Sequence, residues 1–312
     1  MKKFMIALSG ILLYAVIAVS VNFYGKVNPV SVATTAGDLD TQLRRYIEQN
    51  EMRPIEPRHD FIFHFVPGLK GIEIDYGLSY HNMVANGSFD ESLIVRREVE
   101  CKEETEQFRG DPMYKGNEKG DYVALMINVA WGEQELDQII KILTRLKVPA
   151  TFFFEGKYAE KHPDQVEDIH RRGHVVGNHS YSHPSRWGRY SYDGFTKEIV
   201  KTNEVLEGII GEKITYFAPP GGEYNEKTLA AAYDQGMYTI LWTADTVDWK
   251  GGSADAIIER VMKKVEPGAL ILMHPKPNTV AALESLIEIL RNEGYGFKTI
   301  DQMVTGQRPE CY

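Results

Sequence analysis

Cysteine is scarce: Cys101 and Cys311 are the only two among 312 residues. That excludes a scaffold built on several disulfides and leaves either one long-range bridge or two unpaired thiols. Positive charge is also short, with 35 Lys and Arg against 44 Asp and Glu, for a net charge of −9. Broad nucleic-acid binding needs a positive face, so that class is excluded. Neither hydrophobic residues (43%) nor charged residues (25%) are depleted, which excludes a disordered or collagen-like chain. At about 100–200 residues per domain, the length fits one large domain or two smaller ones.

The long uncharged run that is present sits at the N-terminus. Met1-Lys2-Lys3 precedes Phe4 to Val21, 18 residues without a charge. A secretory core is about 7–15 residues and a membrane span about 17–25, so either fits. Ala18-Val19-Ser20 offers a cleavage site, and Lys2 and Lys3 suit a retained anchor with the bulk outside. Residues 1–25 are therefore a signal peptide or membrane anchor, and the rest is expected outside the cytoplasm.

Residues 26–60 read as a linker or helical segment, 61–101 as a small α/β module, and 102–121 as a charged linker. In the module, Phe61-Ile62-Phe63, Ile72-Glu73-Ile74 and Leu93-Ile94-Val95 are strand candidates, with Pro67-Gly68 and Asn86-Gly87 as turns. From residue 122 to 304 short apolar runs alternate with amphipathic helices. Val123 to Ile127 is a buried-strand signal, followed by Leu136, Ile139, Ile140 and Leu143 at helical spacing. Ala150 to Phe154 follows, then a helix over 157–172, then His174 to Val176. Further helix and strand pairs run to Phe297. Such alternation gives an α/β fold with a parallel sheet, and the repeat count favours a distorted (β/α) barrel of about seven strands. The small module and the N-terminal apolar helix precede it.

In a barrel, chemistry collects where strands end. His179 and His183, four residues apart beyond a strand end, suit a divalent metal. His274 closes an apolar strand and is a candidate general acid, and Asp248 beside Trp249 is placed to orient such an imidazole. Trp187, Tyr190, Tyr192 and Trp249 are candidates for stacking on sugar rings.

Five segments in order resemble the polysaccharide deacetylases of carbohydrate esterase family 4, the NodB homology domain. They are Val148-Pro-Ala-Thr-Phe-Phe153, Gly173 to Pro184, Phe217-Ala-Pro-Pro220, Asp248-Trp249 and Leu272-Met-His274. Val66 to Ile72 and Asn128-Val-Ala-Trp-Gly132 resemble a sporulation-associated subgroup of Gram-positive spore formers. The resemblance implies metal-dependent hydrolysis of N-acetyl groups on a glycan such as peptidoglycan or chitin. It implies His179 and His183 as metal ligands, His274 and Asp248 as the acid side, and Pro219, Pro220, Trp249 and Leu272 as substrate-binding residues.

Three positions depart from the family pattern. Its paired aspartates fall on Asn128, an amide that accepts no proton at neutral pH, and Val129, which has no donor atom. Its arginine falls on Ala218. Zinc, the first expectation for the metal, lacks its carboxylate ligand at Val129; Glu133, Asp245 or substrate oxygens could supply a substitute. Two readings follow: a deacetylase of weak or altered activity, and an inactive glycan-binding or scaffold protein.

Overall fold

The computed structural model describes residues 36–308. Phe4–Val21 and Cys311 lie outside them, and among the described residues no helix is long and apolar enough to cross a membrane. Two compact units are present, one of residues 36–51 and 74–97, the other of 52–73 and 98–308.

In the first unit, α1 (Ala36–Asn50) packs on α2 (Tyr76–Asn86) around Leu39, Leu43, Ile74, Met83 and Ile94. The Asp75 carboxylate caps α2 by accepting the Leu78 N–H at 2.9 Å.

The second unit opens with a hairpin of β1 (Arg58–Asp60) and β2 (His64–Val66), antiparallel. Phe61-Ile62-Phe63 is the turn of this hairpin and not a strand, and Phe61 is 97% exposed. The Asp60 carboxylate accepts the Ile62 and Phe63 N–H groups at 2.8 and 2.9 Å, so a side chain takes the bonds a strand partner would need. Short strands β3 (Gly71–Ile74) and β4 (Arg96–Val99) lie where the chain divides between the two units.

The large sheet has seven parallel strands in the order β10-β11-β5-β6-β7-β8-β9, an open half-barrel. They are β5 (Tyr122–Val129), β6 (Thr151–Phe154), β7 (Val175–Asn178), β8 (Tyr216–Phe217), β9 (Tyr238–Thr239), β10 (Ala244–Asp245) and β11 (Leu270–Met273). A further strand, β12 (Gly296–Phe297), pairs with the start of β5. The intervening helices are α3 (Glu133–Leu146), α4 (Gly156–Lys161), α5 (Pro163–Arg171), α6 (Tyr192–Ile210), α7 (Glu226–Asp234), α8 (Ala254–Met262) and α9 (Pro277–Asn292). The expected helix over 157–172 is thus two. Pro163 lacks an N–H and disfavours helical geometry at His162, which sits at φ −130 between α4 and α5.

Side chains alternate along each strand, and the two faces make two cores. Val123, Leu125, Ile127 and Val129 pack with the helices, together with Phe152, Phe154 and Phe217. Ala124, Met126, Phe153, Ala218, Leu270 and Leu272 form the other core, on the inner face. The same parity puts Asn128, Ala218 and His274 on the inner face of their strand ends, and leaves Val129 packed on the helix side.

His174, at the start of β7, is buried beneath α5, and its Nδ1 accepts the Ala150 N–H at 3.2 Å. Burial, aided by the Arg172 cation and opposed by Asp168, pushes it from 6.5 down to about 4. The unfolded chain therefore takes up this proton first as pH falls. Its stabilising contribution is complete above pH 6.5 and is lost between 6.5 and about 4, a loss of about 3 kcal/mol. Denaturant titrations of native protein and His174→Gln at pH 7 and pH 4.5 measure it. The native chain should lose more stability between the two pH values; parallel losses would refute the assignment.

Candidate functional site

Parallel strands deliver their C-terminal ends to one side of the sheet. Asn178, the last residue of β7, is buried and fixes the next turn. Its Nδ2 donates to the Ile199 carbonyl (2.9 Å) and to Asn203 Oδ1 (2.7 Å), and its Oδ1 accepts the Ser180 N–H (2.8 Å). Glu198 on α6 then accepts the Tyr181 and Ser182 N–H groups and the Ser182 hydroxyl, at 2.8 to 3.0 Å. Ser180 (φ 63) and His183 (φ 44) are held in the left-handed region between these anchors.

This turn brings His179 and His183 together, ring centroids 4.9 Å apart. His179 Nδ1 meets the Ala218 carbonyl at 2.7 Å. A carbonyl only accepts, so Nδ1 carries the hydrogen and the Nε2 lone pair is bare. Burial pushes His179 down to about 3, with His183 and His274 adding to the fall and the Ala218 carbonyl opposing it. Burial also lowers His183. Both rings are therefore neutral at physiological pH.

On the other side, β11 ends at His274. The Asp248 carboxylate, 1% exposed, takes three bonds: His274 Nδ1 at 2.8 Å, the His274 N–H at 2.7 Å and the Thr279 hydroxyl at 2.6 Å. Burial opposes its ionisation, but these donors and His274 outweigh it and hold Asp248 below the usual carboxylate range. Val247, just before it, has φ 50.

Trp131 lies between the two halves. Its indole is parallel to the His274 ring (5.8 Å, 11°) and edge-on to His183 (6.2 Å, 81°). Gly132 explains the placement. It sits at φ +84, where a Cβ would stand 2.4 Å from the Pro275 carbonyl oxygen, so only glycine lets this loop press against the His274 segment.

His179, His183 and His274 thus share one locality, with Asp248 behind His274. Asn128 is 3% exposed, and its Oδ1 is buried without a hydrogen-bond partner. Val129 is fully buried. Pro219, Pro220 and Leu272 are buried beneath the strand ends, whereas Trp249 is 54% exposed. Trp187 is not a surface platform: it is 1% exposed among Phe195, Phe217 and Tyr190. The suggested substitutes for the missing carboxylate are engaged elsewhere. Glu133 begins α3 and reaches His162 at 3.7 Å, and Asp245 accepts the Val247 N–H at 2.7 Å. Sequence reasoning did not assign the Ala218 carbonyl, Glu198, Thr279 or Trp131 a role. The first is backbone and leaves no side-chain signal. Thr279 lies five residues past His274 on α9, beyond the strand ends being read.

Catalytic zinc takes three protein ligands. Two imidazoles are present here, the third position is an isopropyl group, and among the described residues no group of three His, Cys, Asp or Glu side chains is arranged to hold a metal ion. The residues present do not fit a resident catalytic metal.

The polysaccharide deacetylase family profile matches residues 115–240. A crystal structure of a carbohydrate esterase family 4 pseudoenzyme from Bacillus anthracis is 35% identical, with a TM-score of 0.78 over 86% of this chain and 96% of that one. The chain belongs to the polysaccharide deacetylase family. A variant of that pseudoenzyme with restored enzymatic activity matches with the same TM-score at 34% identity, over 86% of this chain and 99% of that one. The Bacillus subtilis protein YlxY is 34% identical over 91% of this chain and 88% of its own length. A peptidoglycan-N-acetylglucosamine deacetylase of Bacillus cereus is 40% identical over 54% of this chain and 64% of its own length.

Proposed function

We propose that this chain is a glycan-binding pseudoenzyme of the cell envelope, working outside the cytoplasm on N-acetylated wall or spore glycan without hydrolysing it efficiently. One observation carries the reading: Asn128 and Val129 end β5 without a carboxylate, while His179, His183, Trp131, His274 and Asp248 remain assembled beside them. A general base alone is worth about 10²–10⁴ in rate. Without it, and with two metal donors where three are needed, the usual hydrolysis has neither its base nor its activated water. Trp131 and Trp249, 38% and 54% exposed, supply flat apolar faces of the kind sugar rings stack on. The positive start and apolar run of residues 1–21 support export or anchorage, and the resemblance to a spore-former subgroup supports a role in sporulation.

A second reading, a slow deacetylase, is favoured by the intact Asp248–His274 pair. Acetate release from an N-acetylglucosamine hexamer, with zinc added, separates the two, alongside calorimetric binding of the same hexamer. The native chain should bind the hexamer and release acetate no faster than buffer. Turnover at the rate of an active deacetylase run in parallel would overturn the pseudoenzyme reading.

A further inference from the structure

Next to Trp131, between the ends of β5 and β6, is a recess of about 470 Å³. Trp131, Glu133, Glu155, Lys157, Lys161 and His162 line it. A cavity of this size holds a small ligand of a few residues. Its charge pattern is unlike what a neutral sugar requires, because two cations and two carboxylates share one small space.

The arrangement is built by the chain. Lys157 and Lys161 stand four residues apart on α4 and share a face. Neither makes an ion pair among the described residues. Glu155 immediately precedes α4 and is half-buried, and its carboxylate has no hydrogen-bond partner among the described residues, whereas its backbone N–H donates to the Val129 carbonyl. Burial pushes its carboxyl up, and the two lysines pull it back. Glu133 faces His162 across 3.7 Å. Lys157 also lies over the Tyr181 ring, 5.8 Å from its centroid, so the partly closed recess presents charge of both signs that is not locked in ion pairs by the lysines: ammonium groups to meet a carboxylate, and a carboxylate to meet an ammonium group.

We propose that this recess binds a short zwitterionic peptide, one with a free carboxylate and a free amine, carried on the glycan that reaches Trp131. The proposal rests on the glycan-binding reading and deepens it: the ligand is peptide-bearing glycan rather than bare chitin-like polymer. A purely anionic ligand would meet Glu133 and Glu155, and a purely cationic one would meet Lys157 and Lys161. Trp131 forms a wall of the recess and also stacks on His274, so one ligand spans both.

The test titrates the full chain with three probes. They are an N-acetylglucosaminyl-N-acetylmuramic acid disaccharide bearing a peptide with a free carboxylate and a free side-chain amine, the same disaccharide without peptide, and the peptide alone. Charged hydrogen bonds of this kind make the peptide-bearing disaccharide bind about tenfold more tightly than the bare one. Lys157→Met with Lys161→Met, exposed positions that leave folding intact, should abolish that gain and leave the bare disaccharide unchanged. Equal affinity for the two disaccharides, or a gain that survives the double substitution, would overturn the recess proposal while the glycan reading stands. Binding of the peptide alone with neither disaccharide bound would overturn the glycan reading and support the recess. Failure of all three probes to bind would overturn both.

Discussion

Asn128→Asp combined with Val129→Asp should convert the chain into a zinc-dependent deacetylase, with acetate release at least about 10²-fold above native. Asparagine and aspartate share a shape, so the first change installs a base where the buried amide oxygen now has no partner. The second restores the carboxylate that the family resemblance puts at this position, which becomes the third donor once the end of β5 turns it from the helix side toward His179 and His183. It carries a stability penalty that serves as an internal check. Val129 packs among the helix-facing side chains, so an aspartate there without metal should destabilise the fold by roughly 3 kcal/mol. Zinc at a thousand times its dissociation constant returns about 4 kcal/mol by linkage. The double variant should therefore show a Tm that rises with zinc and about one zinc per chain, and the native protein neither. A variant that neither takes up zinc nor releases acetate would show that more than these two side chains disables the site. Ala218 is then the first further suspect.

The second large effect is at Asp248. Asp248→Ala should cost about 4 kcal/mol, because three donors around the carboxylate are left unpaired in a buried place, each loss being worth about 1–3 kcal/mol. Asp248→Asn should cost less than about 2 kcal/mol, since one oxygen still accepts the His274 N–H and the Thr279 hydroxyl. The amide NH₂ then faces His274 Nδ1 and forces the other tautomer, with hydrogen on Nε2. Denaturant melts give the stability order, and nitrogen NMR of the imidazole gives the tautomer. An alanine variant as stable as the asparagine one would refute this account. The pH dependence has a definite sign. With its carboxyl held below the usual range, Asp248 stabilises the fold above the unfolded value near 4, and that contribution is lost as pH falls through the folded value. The asparagine variant should lose less stability than the native chain below pH 4.

The barrel was legible because its strands are short, continuous apolar runs. Val123 to Ile127 is buried on both faces, which is what a covered parallel strand requires. The order of the strand-end residues then placed His179, His183, Asp248 and His274 at one end of the sheet. Less legible was whatever depends on a side chain competing with backbone. Phe61 to Phe63 has strand-forming residues, yet Asp60 claims its amides. The position of Trp131 depends on Gly132 meeting Pro275, more than 140 residues away, which no local pattern records. The facing of Val129 was equally hidden, because a motif names neighbours in sequence whereas a strand sends them to opposite sides.

Three non-glycine residues around the strand ends, Ser180, His183 and Val247, hold left-handed backbone. Each such residue costs on the order of 1 kcal/mol or more, and a β-branched valine is the least suited of them. Glycine at any of the three would relax the loop that carries it. This end of the barrel thus carries three of the five left-handed non-glycine positions among the described residues, the others being His64 and Lys147. A protein that needed only a robust fold would have its softest substitutions here, so the strain marks these loops as shaped for contact rather than for folding.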